Sequence, residues 1–149
     1  MDAIAFLEQE HQRAKAALAR VLTGLAQERG QLWKKLVPEL QVHEQVEEAC
    51  VYEPVSRDGA RDARLAHWNQ EHHREVRQVE RLVREIDQLQ PADDGWLAKV
   101  AEVQSALERH IFLEEHQIFP RIQTVWDLAR LDQAGTQMQE MKSQKMQHA

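Results

Sequence analysis

The amino-acid sequence predicts an all-α protein, an antiparallel up-down four-helix bundle. Helix-forming residues, chiefly Ala, Leu, Glu, Gln and Arg, dominate a chain of 149 residues that has only 5 Gly and 4 Pro. Apolar residues recur at the helical period in four long segments, and no segment shows the alternating pattern of a strand. The connections between these segments are short, which places consecutive helices side by side in opposite directions.

Breaks that contain Gly or Pro separate the four predicted helices. The predicted helices cover about residues 1–29, 31–52, 60–89 and 95–119, the fourth with an extension to residue 126 as an alternative. Gly24 and Gly30 mark the end of the first helix. Pro38 predicts either a kink in the second helix or a late start at this proline, because proline lacks the amide donor that a helix interior needs.

Residues 53–59 and 90–95 are predicted loops, and Asp93 or Asp94 is the predicted cap of the fourth helix. The polar tail from about residue 127 is predicted either as a short fifth helix that covers one end of the bundle or as a frayed terminus. We therefore expect one domain over residues 1–149, with the bundle over about residues 1–126.

The composition excludes several classes of protein. A formal net charge of -6 and the absence of a Lys/Arg stripe argue against nucleic-acid binding. A single cysteine, Cys50, excludes an intramolecular disulfide. No apolar run approaches the roughly 20 residues that a membrane span needs. With no signal peptide recognisable, the expected compartment is the cytoplasm.

Four of the 8 histidines lie on the apolar faces of the predicted helices, one on each helix. Successive helical residues are rotated by about 100°, so Val79 and Ile86 fall within about 40° of His72. The same geometry places the other histidines. His11, His43 and His110 also lie on core stripes, whereas His67, His73 and His116 point away and His148 lies in the tail.

An internal repeat selects the same side chains. LQVHEQVEEACVY (residues 40–52) and LERHIFLEEHQIF (residues 107–119) both read L-x-x-H-x-x-x-E-E-x-x-apolar-aromatic. EHQRAKAALARVLTGL (residues 10–25) and EHHREVRQVERLVREI (residues 71–86) both begin Glu-His, which selects His72 over His73. Each half of the chain therefore contributes one histidine from its first helix and a His-x-x-x-Glu pair from its second. The two pairs are His43–Glu47 and His110–Glu114.

Four imidazoles and two carboxylates in one bundle core are suitable ligands for iron, manganese or zinc. Such groups are costly to bury when nothing pairs with them, so we expect metal ions to satisfy them. Two metals would each take two histidines, and Glu47 and Glu114 would bridge them, leaving open positions for a small molecule. A metal-free polar network is the alternative that the spacing leaves open.

The order His, His-x-x-x-Glu, His, His-x-x-x-Glu resembles the hemerythrin-like, or HHE cation-binding, domain family. The matching residues are His11 in EHQRA, His43 and Glu47 in HEQVEE, His72 in EHHRE, and His110 and Glu114 in HIFLEEHQIFP. The tail ARLDQAGTQMQEMK is also similar to the closing helix of the family. The resemblance implies a four-helix bundle with a non-haem di-iron centre that binds or responds to dioxygen, nitric oxide, peroxide or iron.

The sequence departs from the oxygen-carrying members of this family at two positions. Those proteins take a fifth histidine from a His-x-x-x-His pair on the third helix, whereas Trp68 and Val76 stand four residues from His72. They also place the helix-four carboxylate five residues after its histidine, which makes Glu115 an alternative to Glu114. The missing fifth histidine favours reaction, metal exchange or sensing over reversible oxygen carriage.

Several flanking side chains are candidates for weaker roles. Glu115, its repeat counterpart Glu48, and His73 are alternates to the six ligands or supporting groups beside them. Trp68 is expected in the core, with a place in the pocket wall as the alternative.

Three other polar residues near the candidate ligands are not expected to bind the metal directly. Glu10 and Glu71, each just before a ligand histidine, are expected to be exposed, with a supporting position beside the ligands as the alternative. Tyr52 is about 180° around the helix from His43 and is not expected to be a ligand.

The predicted function is a metal-binding, di-iron protein that binds or responds to a small diatomic ligand, peroxide or iron. Manganese and zinc are alternative metals. Whether the protein is an enzyme stays open, and no catalytic residue is predicted. The alternatives are a di-iron enzyme acting on peroxide or iron(II), and a metal-stabilised helical module that docks to a protein partner. No nucleic-acid or membrane partner is expected.

Overall fold

The structure, a computed structural model, describes residues 1–148, and these residues form helices joined by short connections without a strand. The helices are α1 (Ala3–Thr23), α2 (Ala26–Glu47), α3 (Glu53–Asp58), α4 (Ala63–Asp87), α5 (Asp94–Leu113), α6 (Phe119–Val125) and α7 (Leu128–Gln147). Two π-helical turns, Glu48–Tyr52 and Glu114–Ile118, join α2 to α3 and α5 to α6 without a break. The four rods α1, α2–α3, α4 and α5–α6 form a four-helix bundle, which confirms the predicted fold class.

The boundary between the first two helices differs from the prediction. α1 ends at Thr23, not near residue 29, because Gly24 takes an extended conformation with φ -74° and ψ 167°. A Cβ at Gly24 would lie 2.8 Å from the carbonyl oxygen of Arg20, so a larger residue would crowd this turn. α2 then begins at Ala26 and continues through Pro38, so the late start is wrong.

Residues 53–58, predicted as part of a loop, form α3. Pro54 stands in the first turn of this helix, where its missing amide costs little, and Val55 is buried. The polar tail forms α7, which at 20 residues is longer than the predicted short helix. Asp127 caps α7 by accepting a hydrogen bond from the amide of Arg130 at 2.8 Å. Among residues 1–148, no helix is long and apolar enough to cross a membrane.

Two apolar clusters fill the bundle, one at each end. The first lies near the α1–α2 and α4–α5 connections, where the rings of Trp33 and Trp96 meet edge to face at 6.3 Å. The second lies at the opposite end and includes Trp126 and Met138, so α7 covers this end of the bundle. On α1, α4 and α5 the inward histidine lies between the residues of the two clusters, and on α2 His43 lies between Val42 and Val46 of the second cluster.

The N-terminus of α1 lies directly against the backbone of α7. A Cβ at Gly135 would overlap the carbonyl oxygen of Met1 and would lie 2.8 Å from the carbonyl carbon of Asp2. Because the obstructing atoms belong to backbone, no rotamer change can make room for a larger residue. Gly135 therefore sets how closely α7 approaches α1.

We expect Gly135→Ala to destabilise the protein by about 1–3 kcal/mol through overpacking, although alanine is the better helix former. Gly95→Ala is the matched control, because a Cβ there would make an ordinary contact 3.7 Å from Leu89 Cδ1. Urea unfolding of both variants measures the difference. Equal stability of the two variants would contradict the close approach of α7.

Candidate metal centre

The six predicted ligands meet in the middle of the bundle, between the two apolar clusters. They are His11, His43, Glu47, His72, His110 and Glu114. Both carboxylates are 0% exposed, and three of the histidines are at most 8% exposed. His43 is the most exposed of the four histidines, with 11% of its side chain accessible. Four different rods of the bundle thus direct ionisable groups into one interior volume.

The histidines turn their Nε2 atoms toward the two buried carboxylates. Glu114 Oε1 lies 3.0 Å from His11 Nε2 and 3.2 Å from His110 Nε2. Glu47 Oε1 lies 3.3 Å from His72 Nε2 and 3.5 Å from His110 Nε2. Each carboxylate therefore faces histidines from more than one helix, as a bridging ligand would.

Most of these inward atoms lack a hydrogen bond. Within residues 1–148, both oxygens of Glu47, Oε1 of Glu114 and Nε2 of His11 are buried without a partner in hydrogen-bond geometry. Leaving a buried polar atom unpaired costs about 1–3 kcal/mol, so nearly all such atoms in proteins are paired. Cations at the centre would satisfy these atoms together, and the nitrogen and oxygen donors suit iron, manganese or zinc. The residues present therefore fit a metal site.

The ligand atoms divide into two groups, each within 4.8 Å of one another. The groups are His11, His43 and Glu47, and Glu44, Glu47, His72 and His110. Glu47 belongs to both groups, and Glu114 contacts one histidine of each. The two groups thus meet at the two buried carboxylates.

Glu44 is a potential ligand that the sequence interpretation missed. Its Oε2 atom lies 2.8 Å from His72 Nε2, and its side chain is 24% exposed. The counterpart of Glu44 in the internal repeat is Ile111, so the repeat could not select it. The position next to His43 was the available signal, but a residue one step along a helix is rotated by about 100° from its neighbour. The Glu44 carboxylate lies at the centre because its side chain extends toward His72 on α4.

A π-helical turn accompanies each of the two carboxylates. Glu114 begins one turn, and Glu47 directly precedes the other. A π-helix forms i→i+5 hydrogen bonds, so residues five apart come one above the other. Tyr52 and Phe119, each five residues after a ligand carboxylate, are consequently turned toward the centre and buried.

Tyr52 contacts two of the candidate ligands, so its predicted placement on the helix face opposite His43 is wrong. Its ring stacks on His72 with centroids 4.2 Å apart, and its hydroxyl donates a hydrogen bond to Glu114 Oε2 at 2.7 Å. The angular prediction assumed an uninterrupted α-helix, which the π-turn breaks. The repeat counterpart Phe119 stacks on His11 with centroids 6.0 Å apart. Each half of the chain therefore covers a histidine of the other half with an aromatic ring.

Carboxylates also contact the outward Nδ1 atoms of two histidines. Glu115 Oε2 lies 2.8 Å from His11 Nδ1, and Glu75 Oε2 lies 2.6 Å from His110 Nδ1. Such contacts orient an imidazole for metal binding. Glu115 thus has the supporting position expected as an alternative to ligation. Glu75 was missed, because it reaches a neighbouring helix.

Glu10 supports the centre as well, so its predicted exposure is wrong. Its side chain is only 11% exposed, and its Oε1 atom lies 3.9 Å from His43 Nδ1. Burial would raise the pKa of Glu10, but His43 and Lys142 outweigh it and lower the pKa to about 2. Glu71, by contrast, is 29% exposed and pairs with Arg74 at 3.1 Å.

The remaining candidates lie outside the centre. His73 Nδ1 lies 3.3 Å from Glu48 Oε1, and the two side chains are 36% and 31% exposed. With Glu53 they form a separate group near the surface. Trp68 is half-buried and packs against the second apolar cluster. His67, His116 and His148 are exposed, as their positions on the helical faces and in the tail indicated.

Buried carboxylates favour protonated histidines when metal is absent. Burial would lower the pKa of His43, but Glu10 and the charge on Glu47 outweigh it and raise the pKa to about 9. Burial likewise opposes charge on His72, yet its interactions with Glu44 and Glu47 raise the pKa to about 10. In the metal-free protein, ion pairs therefore replace metal–ligand bonds.

Comparisons with known proteins identify the family of the chain. The sequence profile of the hemerythrin HHE cation-binding domain matches residues 2–122. The chain is also similar to the crystal structure of a hemerythrin HHE cation-binding domain-containing protein from Mycobacterium kansasii, with a TM-score of 0.83 and 22% identity. That similarity covers 97% of this chain and 87% of the other. No match is found among curated proteins.

The raised pKa values predict that the metal-free protein loses stability as the pH rises. A histidine whose pKa is higher in the folded state stabilises the fold below its unfolded pKa of about 6.5. This stabilisation is lost between pH 6.5 and the folded values of about 9 for His43 and about 10 for His72. We expect each of these two histidines to lower the free energy of unfolding by on the order of 3 kcal/mol between pH 6 and pH 9. Urea unfolding of chelator-treated protein at the two pH values measures this change.

A matched pair of variants tests this origin of the pH dependence. His43→Gln should weaken the dependence, whereas His116→Gln should leave it unchanged because His116 is exposed. Stability that stays constant or increases between pH 6 and 9 would show that the buried histidines are not protonated in the metal-free fold.

Proposed function

Because the chain belongs to the hemerythrin HHE cation-binding domain family, we propose that it holds two non-haem iron ions and exposes them to a small ligand. Dioxygen, nitric oxide and peroxide are the ligands we consider. One observation carries the proposal: four Nε2 atoms from four helices converge on two fully buried carboxylates. Bound iron would supply redox chemistry and coordination positions for the small molecule.

The two groups of side chains favour an assignment of ligands. One iron would take His11 and His43, the other His72 and His110. Glu47 and Glu114 would be shared, because each contacts histidines of both groups. Manganese and zinc suit the same donors, so the choice of iron rests on the family and not on the geometry.

Glu44 makes the two positions unequal. It stands beside His72 and His110, in a chain that lacks the fifth histidine of the oxygen carriers. A carboxylate is anionic, so it stabilises the higher charge of an oxidised metal more than a neutral imidazole does. We therefore favour reaction or sensing over reversible oxygen carriage at this site.

A second candidate function is enzymatic, namely turnover of peroxide or oxidation of iron(II). The partial exposure of Glu44, at 24%, favours this candidate because it places a charged group between solvent and the buried ligands. Turnover by wild-type protein that is lost in His110→Ala would separate catalysis from simple binding.

We expect about two irons per chain after expression in iron-replete medium, measured by elemental analysis of protein purified without chelator. Glu47→Gln and His110→Ala should lower this content and the near-ultraviolet charge-transfer absorption. His116→Ala is the matched control for the loss of a histidine, because it removes an exposed one. Wild-type protein that retains no transition metal would overturn the proposal and redirect attention to protein partners.

The role of Glu44 predicts a specific change in the metal-loaded protein. Glu44→Gln removes an anionic group without changing its size, so the reduction potential of the iron centre should become more positive. Glu48→Gln is the matched control, because Glu48 lies one turn away and contacts His73 outside the centre. Equal potentials in the two variants, measured by redox titration, would remove Glu44 from the iron ligands.

A further inference from the structure

α7 contacts a carboxylate beside the candidate metal centre, although α7 lies outside the part of the chain that the family profile matches. The profile ends at residue 122, and α7 covers Leu128–Gln147. Lys142 on α7 donates a hydrogen bond from Nζ to Glu10 Oε2 at 2.7 Å. The Lys142 ammonium also lies 5.8 Å from the centroid of the Phe6 ring, within reach of a cation–π contact. Phe6 and Glu10 are one turn apart on α1, so together they hold this lysine.

The Glu10 carboxylate connects Lys142 with a candidate iron ligand. One oxygen bonds to Lys142, and the other lies 3.9 Å from His43 Nδ1. Arg13 is the other cation near this carboxylate, but its Nη1 is 3.8 Å away and its side chain is 64% exposed. Glu10 is 11% exposed and Lys142 is 29% exposed, so the pair is shielded better than a surface salt bridge.

The support of His43 differs from that of the other ligand histidines. His11 and His110 contact Glu115 and Glu75, which belong to the bundle rods themselves. The carboxylate beside His43 is instead shared with a helix outside the bundle. His43 also has the most exposed side chain of the four and is 4.0 Å from the shared carboxylate of Glu47. Its orientation therefore depends most on what holds its outer side.

We propose that Lys142 is a positioning residue for the metal centre: through Glu10 it orients His43, so docking of α7 and occupancy of the metal position at His11 and His43 stabilise each other. This inference rests on the proposed metal site but not on the identity of the metal. Coupling between two events is reciprocal, so α7 must strengthen metal binding by the same factor by which metal strengthens α7 docking. α7 thus has a role at a metal site that four helices would suffice to build.

The first test measures release of metal from the full-length protein to an excess of chelator. Zinc-loaded and iron(II)-loaded samples are compared without oxygen. Removing a group that supports a ligand typically costs 10–100-fold in metal affinity, so Lys142→Met should release one of two metals about tenfold faster. Lys142→Arg keeps the charge and should restore slow release. Lys145→Met makes the same charge change one turn along α7, where the described residues provide no carboxylate partner, and should match wild type.

A double-mutant cycle separates positioning through Glu10 from general loosening of α7. If Lys142 acts through Glu10, Glu10→Gln should also speed release, and adding Lys142→Met to it should have no further effect. Additive effects of the two substitutions, or release from Lys142→Met at the wild-type rate, would overturn the inference.

Hydrogen exchange of α7 gives a readout that does not depend on metal release. Metal loading should slow amide exchange in α7 of the wild-type protein, and Lys142→Met should remove this response. Equal amide exchange rates in wild-type α7 with and without metal would overturn the inference. Binding of zinc but not iron would refute the iron proposal while leaving the coupling testable with zinc. Retention of neither metal would overturn both.

Discussion

The structure depends on one constraint, the burial of two carboxylates and four imidazoles in the middle of a small bundle. Such groups are stable inside a protein only when metals or opposite charges satisfy them. Glu47 and Glu114 are fully enclosed, and the Nε2 atoms of the histidines face them. The bundle accommodates this polar layer by dividing its apolar core into two clusters. No charged side chain is among the buried members of either cluster.

The two π-turns follow from the same constraint. An α-helix that passes the ligand carboxylate would rotate the next aromatic side chain away from the centre. The π-turns keep Tyr52 and Phe119 on the inner side, where their rings cover His72 and His11. Because the turns occupy positions in the two halves that differ by only one residue, the repeat extends to a backbone feature that only the structure reveals.

The departures from symmetry distinguish the two halves of the centre. Glu44 stands where the second half has Ile111, and the Tyr52 hydroxyl has no equivalent on Phe119. The first half therefore brings an additional carboxylate to His72 and a hydrogen-bond donor to Glu114. α7 adds a third difference, since its lysine reaches only the side of the centre that contains His43. The two metal positions that we propose would therefore differ chemically, although the frame around them is nearly symmetric.

The sequence by itself determined the all-helical fold, the inward faces and the repeat, because helical periodicity is local and recurs along the chain. It could not locate the helical start at Ala26 or the helix at residues 53–58, since caps and breaks depend on packing as well as composition. Only the tertiary structure decided the positions of Tyr52, Glu10 and Glu44. Tyr52 depends on a π-turn, and the two glutamates depend on groups from distant segments. Such contacts are not encoded in the spacing along one helix.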